Sequence, residues 1–242
     1  MRIAVMSDIH GFSIALRTVL EDIARRGPLD AIVAAGDLCE VGPDPSGCLQ
    51  LLATHQVRLI QGNTDRDIAA CAKVGCSDAG LRFVVDAIGV DRALALGDLP
   101  LTMRFSPTDR SADDLLVCHA NPHDLERKLL PELTDRELRD RLLPVSAGAI
   151  AFGHHHVAFT REIDGMLLVD VSAVGNPKDE DLRCKYAIFT WEQAAKGWSA
   201  EIIRLPYPLQ ETLEQIRQSD LPRPERTARK LLHASYRPMS PQ

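Results

Sequence analysis

Five short apolar runs in this chain each give way to side chains of the same kind. Residues 3–6 are followed by Ser7-Asp8-Ile9-His10-Gly11, residues 31–35 by Gly36-Asp37, and residues 57–60 by Gln61-Gly62-Asn63-Thr64-Asp65. Residues 115–117 are followed by Cys118-His119, and residues 149–152 by Gly153-His154-His155-His156. Carboxylate, imidazole and amide carbonyl together suit Mn, Fe, Zn or Ni. They are a poor set for calcium and lack the thiolates of structural zinc. Asp8 and His10 stand two apart in an extended segment and so point to one side, as do His154 and His156. Each pair forms a pincer, and two pincers with the single ligands Asp37, Asn63 and His119 can hold two ions. The adjoining glycines let the backbone approach those ions closely.

Taken singly, each residue has a plainer reading. Asp37 can cap a turn after Gly36, Asn63 is an ordinary turn residue, and a histidine that ends a strand is commonly a satisfied buried one. All of these must hold together for the metal site to be absent. His155, between two ligands, should face away from both. His55, His123 and His233 read as non-ligands, with His123 set apart because it follows His119 in the same loop. Cys39 and Cys118 flank ligands but read as small packing residues. Trp191 and Trp198 read as core or cross-strand hairpin residues.

Side chains this far apart in sequence can meet only if a sheet gathers them, and in α/β sheets the site lies outside the carboxyl ends of the strands. Short apolar runs do alternate with longer amphipathic ones, as strands alternate with helices. Helices are expected over residues 13–26, with Ser13 as N-cap and Gly27-Pro28 as the stop, over 46–53 and over 129–143. Residues 67–99 read as a helical insertion broken at Gly75, Gly80 and Gly89, forming a cap or side subdomain. The second half is β-rich. Residues 158–163 and 166–171 flank Asp164-Gly165, a hairpin signal, and 186–190 pairs with 198–204. Residues 209–217 and 225–233 read as two helices separated by Pro222 and Pro224. The expected division is a core over 1–205 and a helical appendage over 206–242.

The 242 residues are 45% apolar, enough for a large core without staples. A formal net charge of −6 disfavours an extended nucleic-acid partner, although bound metals would supply a local cationic site. No apolar run approaches the roughly 20 residues of a membrane span, and the N-terminal run is too short for a secretory signal. The six cysteines include no C-x-x-C pair. Together these features predict a cytoplasmic, reducing setting with free thiols and no membrane partner. Nothing in the spacing specifies an oligomeric state.

The ordered set Asp8-x-His10, Gly36-Asp37, Gly62-Asn63-x-Asp65, a strand-ending His119 and Gly153-His154-x-His156 resembles the calcineurin-like metallophosphoesterase superfamily. Gly42-Pro43-Asp44-Pro45 and Val174-Gly175-Asn176-Pro177-Lys178-Asp179 resemble its small prokaryotic phosphodiesterase branch. The match covers about residues 1 to 180. The resemblance implies an α/β (α+β) fold, a four-layer αββα sandwich of two mixed sheets flanked by helices. It also implies two divalent metal ions, Mn foremost, with Fe, Zn or Ni as alternatives. Asp8, His10, Asp37 and His156 would hold one ion. Asp37, Asn63, His119 and His154 would hold the other, with Asp37 bridging.

The expected chemistry is cleavage of a small phosphate ester by a metal-activated hydroxide. Asp65 is a candidate to orient the histidines through their second ring nitrogens. Asn63 and Thr64 are candidates to touch substrate. Several branches of the superfamily carry a histidine directly after the asparagine, where this chain has Thr64. A hydroxyl does not serve as a general acid near neutral pH, so good leaving groups are expected, with His123 as the nearest alternative donor. Phe12 is a second departure, standing where similar sequences often have Asn. A phosphodiesterase is the leading reading. A phosphomonoesterase, including a protein phosphatase or a dinucleoside-polyphosphate hydrolase, is an alternative. A non-catalytic scaffold of the same fold is a third, opposed by the metal-competent type kept at all seven ligand positions.

Overall fold

Alternation along the first strand already separates two cores. In β1 (Arg2–Met6), Ile3 and Val5 join one apolar cluster and Ala4 and Met6 join another. The same alternation recurs in β5 (Leu115–Cys118), where Leu115 and Val117 face inward and Leu116 and Cys118 outward. Strands buried on both faces must lie inside a layered stack, and the computed structural model, which describes residues 1–237, shows that stack.

One five-stranded sheet runs β10 (Gly197–Leu205), β9 (Cys184–Glu192), β1, β2 (Ala31–Ala34), β3 (Arg58–Leu59). The other runs β4 (Thr102–Phe105), β5, β6 (Ala149–Phe152), β8 (Met166–Asp170), β7 (Phe159–Ile163). Both are mixed. β1, β2 and β3 are parallel, as are β5, β6 and β8, and the remaining pairings are antiparallel. The sheets pack face to face through Ile3, Val5, Val33, Phe105, Val117, Ala151, Val169 and Phe189. Trp191 and Trp198 lie opposite each other across β9 and β10, ring centroids 5.7 Å apart.

Helices cover the outer faces. On the first sheet lie α1 (Ser13–Arg25), α2 (Pro45–Thr54), α3 (Asn63–Val74), α4 (Ala79–Ile88), α5 (Val90–Gly97), α7 (Leu209–Gln218) and α8 (Pro224–His233). Leu16, Leu52, Ile68, Val84, Leu96, Leu213 and Leu231 bury into one cluster there. On the second sheet, α6 (Asp135–Leu142) sets Leu138 and Leu142 against Leu116, Ile150 and Phe152. The four-layer sandwich that the resemblance implies is therefore the observed architecture.

Several local expectations need correction. Ser13 is the first helical residue and not the cap; Phe12 occupies the cap position, with no side-chain hydrogen bond. The helix expected over 129–143 begins only at Asp135, because Thr134 and Glu137 form a reciprocal capping box that starts it there. β4 had no counterpart in the sequence reading; it is four residues long and lies at the sheet edge. Residues 67–99 are helical and broken at Gly75 and Gly89, both with positive φ, whereas Gly80 lies inside α4. The thiols are not all free. Cys71 and Cys76 form a disulfide, because Gly75 turns the chain back at the end of α3 and brings the two Cα atoms to 5.0 Å. Cys39, Cys48, Cys118 and Cys184 are unpaired and buried. No described helix is long and apolar enough to cross a membrane. Residues 238–242 of the expected C-terminal appendage lie outside the described residues.

Candidate metal centre

The parallel strands β1, β2, β5 and β6 end on the same edge of the sandwich, and the chain turns sharply at each end. Asp8, His10, Asp37, His154 and His156 all adopt left-handed backbone conformations, with φ between 52° and 64°. For residues with a Cβ this costs about 1–2 kcal/mol apiece. The surrounding structure enforces it. The amide of Asp8 donates to the carbonyl of Gly36 (3.1 Å), that of His10 to Asp37 (2.9 Å), and that of Gly153 to His119 (2.9 Å). Close approach is essential as well: a Cβ on Gly153 would lie 2.2 Å from Ser7 Oγ and 2.3 Å from Asp8 Oδ2.

The side chains converge into two groups. Asp8, His10 and His156 form one, and Asp37, His119 and His154 the other; within each group the candidate ligand atoms lie within 4.8 Å of one another. Asn63, the first residue of α3, brings Oδ1 to 3.0 Å from His119 Nε2. Asp37 reaches both groups, with Oδ1 3.4 Å from His119 Nε2 and Oδ2 3.6 Å from His10 Nε2. All seven residues singled out in the sequence are therefore brought together.

The second ring nitrogens fix the chemistry of the first. His10 Nδ1 donates to the carbonyl of Glu40 (2.8 Å), and His119 Nδ1 to that of Ala35 (2.8 Å). His156 Nδ1 donates to the carbonyl of Asn176 (2.5 Å), and His154 Nε2 to that of Glu126 (3.1 Å). A carbonyl only accepts, so each of these nitrogens carries the proton. In a neutral ring the other nitrogen is then a bare lone pair facing inward. Two such lone pairs meet at 3.3 Å between His10 and His156, and two more at 3.1 Å between His119 and His154. Asp8 adds a buried carboxylate oxygen, Oδ1, that accepts no hydrogen bond from the described residues and lies 3.0 Å from His156 Nε2. Acceptors crowded against acceptors, out of water, are matched by a cation and by little else. The residues present fit two divalent ions.

The electrostatics agree. Burial holds His10 below its ordinary pKa. Burial, with His119 nearby, pushes His154 down to about 4. Burial also works against a charge on His119, yet Asp37 and Asp8 outweigh it and raise this ring above its ordinary pKa. Burial opposes ionisation of Asp8, but His156, His119 and His10 overcome it and hold the carboxyl well below the usual range.

The remaining candidates are placed differently. Asp65 does not orient a histidine. Its Oδ2 accepts from the amides of Asp37 and Gly62 (2.9 Å each) and its Oδ1 from Leu38 (3.0 Å), so it ties the turn after β2 to the start of α3. The histidines take backbone carbonyls instead, partners that no residue type announces in a sequence. His123 is turned toward the end of α6, where Nε2 bonds the carbonyl of Leu142 (3.1 Å), and it has no hydrogen bond to the seven. Thr64 lies at the centre: its amide donates to Asp37 Oδ1 (3.0 Å), and its buried Oγ1 has no partner among the described residues. His155 faces away, stacked on Tyr236 with ring centroids 5.3 Å apart.

The sequence profile of the calcineurin-like phosphoesterase superfamily domain matches residues 1–194. The chain belongs to that superfamily. The superfamily is dinuclear metal-dependent, in keeping with two His/Asp groups that could each hold an ion. An uncharacterised protein of Methanocaldococcus jannaschii is 26% identical, with 91% of this chain and 93% of that protein covered. The crystal structure of a metallophosphoesterase from Sphaerobacter thermophilus superposes with a TM-score of 0.78 at 24% identity, covering 97% of this chain and all of that one. A hypothetical protein from Pyrococcus horikoshii OT3 superposes at 0.81 and 18% identity, covering 97% and 98%. With these two structures the shared fold covers 97% of the chain.

Proposed function

We propose that this phosphoesterase is a phosphodiesterase acting on small phosphate esters, with manganese in both positions. In this reading Asp8, His10, Asp37 and His156 hold one ion, and Asp37, Asn63, His119 and His154 the other. The observation that carries it is the inward set of bare imidazole lone pairs with the orphaned Asp8 oxygen beside them. Ions bound there would polarise a water and neutralise the phosphoryl oxygens.

The chain's own residues supply the positioning. Left-handed turns and carbonyl-anchored rings hold the ligands rigid, so little reorganisation accompanies reaction. Thr64 Oγ1, buried and without a partner among the described residues, would donate to a phosphoryl oxygen in this reading. Neither candidate acid is free to protonate a departing alkoxide: Asp65 is committed to three amides and His123 to Leu142. The rate should therefore depend on leaving-group pKa, favouring aryl diesters.

The test is metal analysis followed by turnover. Protein reconstituted with Mn²⁺ should carry two ions per chain and hydrolyse bis-p-nitrophenyl phosphate faster than p-nitrophenyl phosphate, with alkyl monoesters slowest. Failure to retain metal would refute the dinuclear reading. Alkyl monoesters cleaved as fast as aryl diesters would refute the diesterase reading and leave the metal centre standing.

A further inference from the structure

At the start of α4 and along α8 lies an open cavity of about 300 Å³ that the proposed chemistry does not use. Its walls include Arg223, which caps α8, and Arg226 and Lys230 from α8, with Glu40, Asp78 and Thr227. Three cations on one wall are unusual in a chain whose formal net charge is −6. Among the described residues none of the three forms a salt bridge or a side-chain hydrogen bond, whereas Arg217 and Arg237 nearby in sequence are paired with Glu225 and Glu180. All three are exposed to water and Lys230 acts on the nearby Glu40 carboxyl, but no described carboxylate pairs with any of them, so an anion entering the cavity would meet unpaired like charges on adjacent turns.

Glu40 connects this cavity to the reacting centre. Its carbonyl anchors the ring of His10 (2.8 Å), while its side chain lines the cavity. A ligand in the cavity is thus one side chain away from a metal ligand. The amides at the start of α4 are already taken, because Asp78 Oδ1 accepts from Gly80 (2.7 Å) and Leu81 (3.0 Å). Anion recognition falls to the guanidinium and ammonium groups, which bind phosphate by charge-assisted hydrogen bonds. The carboxylates of Glu40 and Asp78 on the facing wall suit hydroxyl donors. Room for a few linked heavy groups, cations at one wall and acceptors at the other match a phosphorylated sugar.

We infer that the cavity lined by Arg223, Arg226 and Lys230 is a specificity subsite for a second phosphate of the substrate, carried on a sugar attached to the phosphate being cleaved. The inference rests on the diesterase reading above and goes beyond it, by naming the substrate class as esters of a sugar that bears a further phosphate.

Two matched substrates test it: the p-nitrophenyl ester of thymidine 5′-phosphate, and the same ester with a 3′-phosphate. They share leaving group and reacting centre. The Mn²⁺-loaded enzyme should favour the 3′-phosphorylated ester by about tenfold in kcat/KM, through KM, the effect expected of two partly screened charge-assisted contacts. Arg226→Ala/Lys230→Ala should erase that preference and leave turnover of the plain ester unchanged. Arg229→Ala, an exposed cation on the same helix that does not line the cavity, should keep it. Calorimetric binding of thymidine 3′,5′-bisphosphate gives a readout independent of turnover and should weaken about tenfold in the double variant only. No preference in the wild type, a preference surviving the double variant, or equal loss in Arg229→Ala would each overturn the subsite. If neither ester is cleaved, the diesterase reading fails, while the binding comparison still decides whether the cavity takes phosphate.

Discussion

Asp37 sets one oxygen toward each ligand group, and replacing it by asparagine isolates that double role. The change is nearly isosteric. The retained carbonyl oxygen can still accept the amide of Thr64, 3.0 Å from Oδ1 in the wild type. What is lost is the charge and the acceptor at Oδ2, 3.6 Å from His10 Nε2. Charge also leaves the other side, where Oδ1 lies 3.4 Å from His119 Nε2. A hydrogen-bond-scale contact to a charged group contributes about 1.5–3 kcal/mol, so each ion should bind roughly 10- to 100-fold more weakly. Asn63→Ala removes a neutral ligand that approaches His119 alone. It should weaken one ion by about 1 kcal/mol and leave the other unchanged. The assay is calorimetric titration of metal-free protein with Mn²⁺, fitted to two sites, with residual hydrolysis measured at saturating metal. Both variants should fold, because the ligands sit at strand ends outside the apolar clusters. Loss confined to one site in Asp37→Asn, or equal losses at both sites in Asn63→Ala, would refute the bridging role.

Other consequences can be measured directly. Gly153→Ala would place a methyl 2.2 Å from Ser7 Oγ and 2.3 Å from Asp8 Oδ2; it should cost about 1–3 kcal/mol in denaturant unfolding and displace Asp8, so a wild-type midpoint with full metal binding counts against the packing argument. Asp65→Asn leaves at least one of three buried amides facing an NH₂ group instead of a carboxylate, a loss of about 1–3 kcal/mol; an unchanged melting temperature would show that the turn does not depend on it. In metal-free protein His154 titrates near 4, below its ordinary 6.5, so the unfolded chain binds the extra proton first. Its stabilising contribution is present above pH 6.5 and is lost as the pH falls toward 4. The melting temperature of His154→Gln should decline less steeply over that window than that of the wild type, and equal slopes would reject the assignment.

How much of this was legible in the sequence varied with the range of the interaction. The seven converging residues were readable because each follows an apolar strand, and strand ends in an α/β layer share one edge. The alternation of strands and helices was legible in the periodicity, while the four-layer architecture came only from the family resemblance that the motifs carry. Local signals with a single interpretation also held, such as Asp164-Gly165 between β7 and β8 and the tryptophan pair across β9 and β10. Signals with competing partners did not. Thr134 with Glu137 outbid the earlier start expected for α6, and Phe12 took the cap position expected of Ser13.

Composition and spacing set which atoms can ligate, since an imidazole or a carboxylate is a donor wherever it lies. Only the tertiary structure decided which ring nitrogen faces inward, because the proton is placed by carbonyls of Ala35, Glu40, Glu126 and Asn176, and every residue has a carbonyl. It likewise decided that Asp65 serves the backbone and that His123 turns to α6, both consequences of which amide or carbonyl lies within reach. The Cys71–Cys76 bond and the cationic wall at α8 belong to the same class: residue types visible in the chain, given meaning by a turn at Gly75 and by the cavity that α8 shares with the start of α4. Type is a property of the residue, whereas protonation, pairing and orientation are properties of its neighbours.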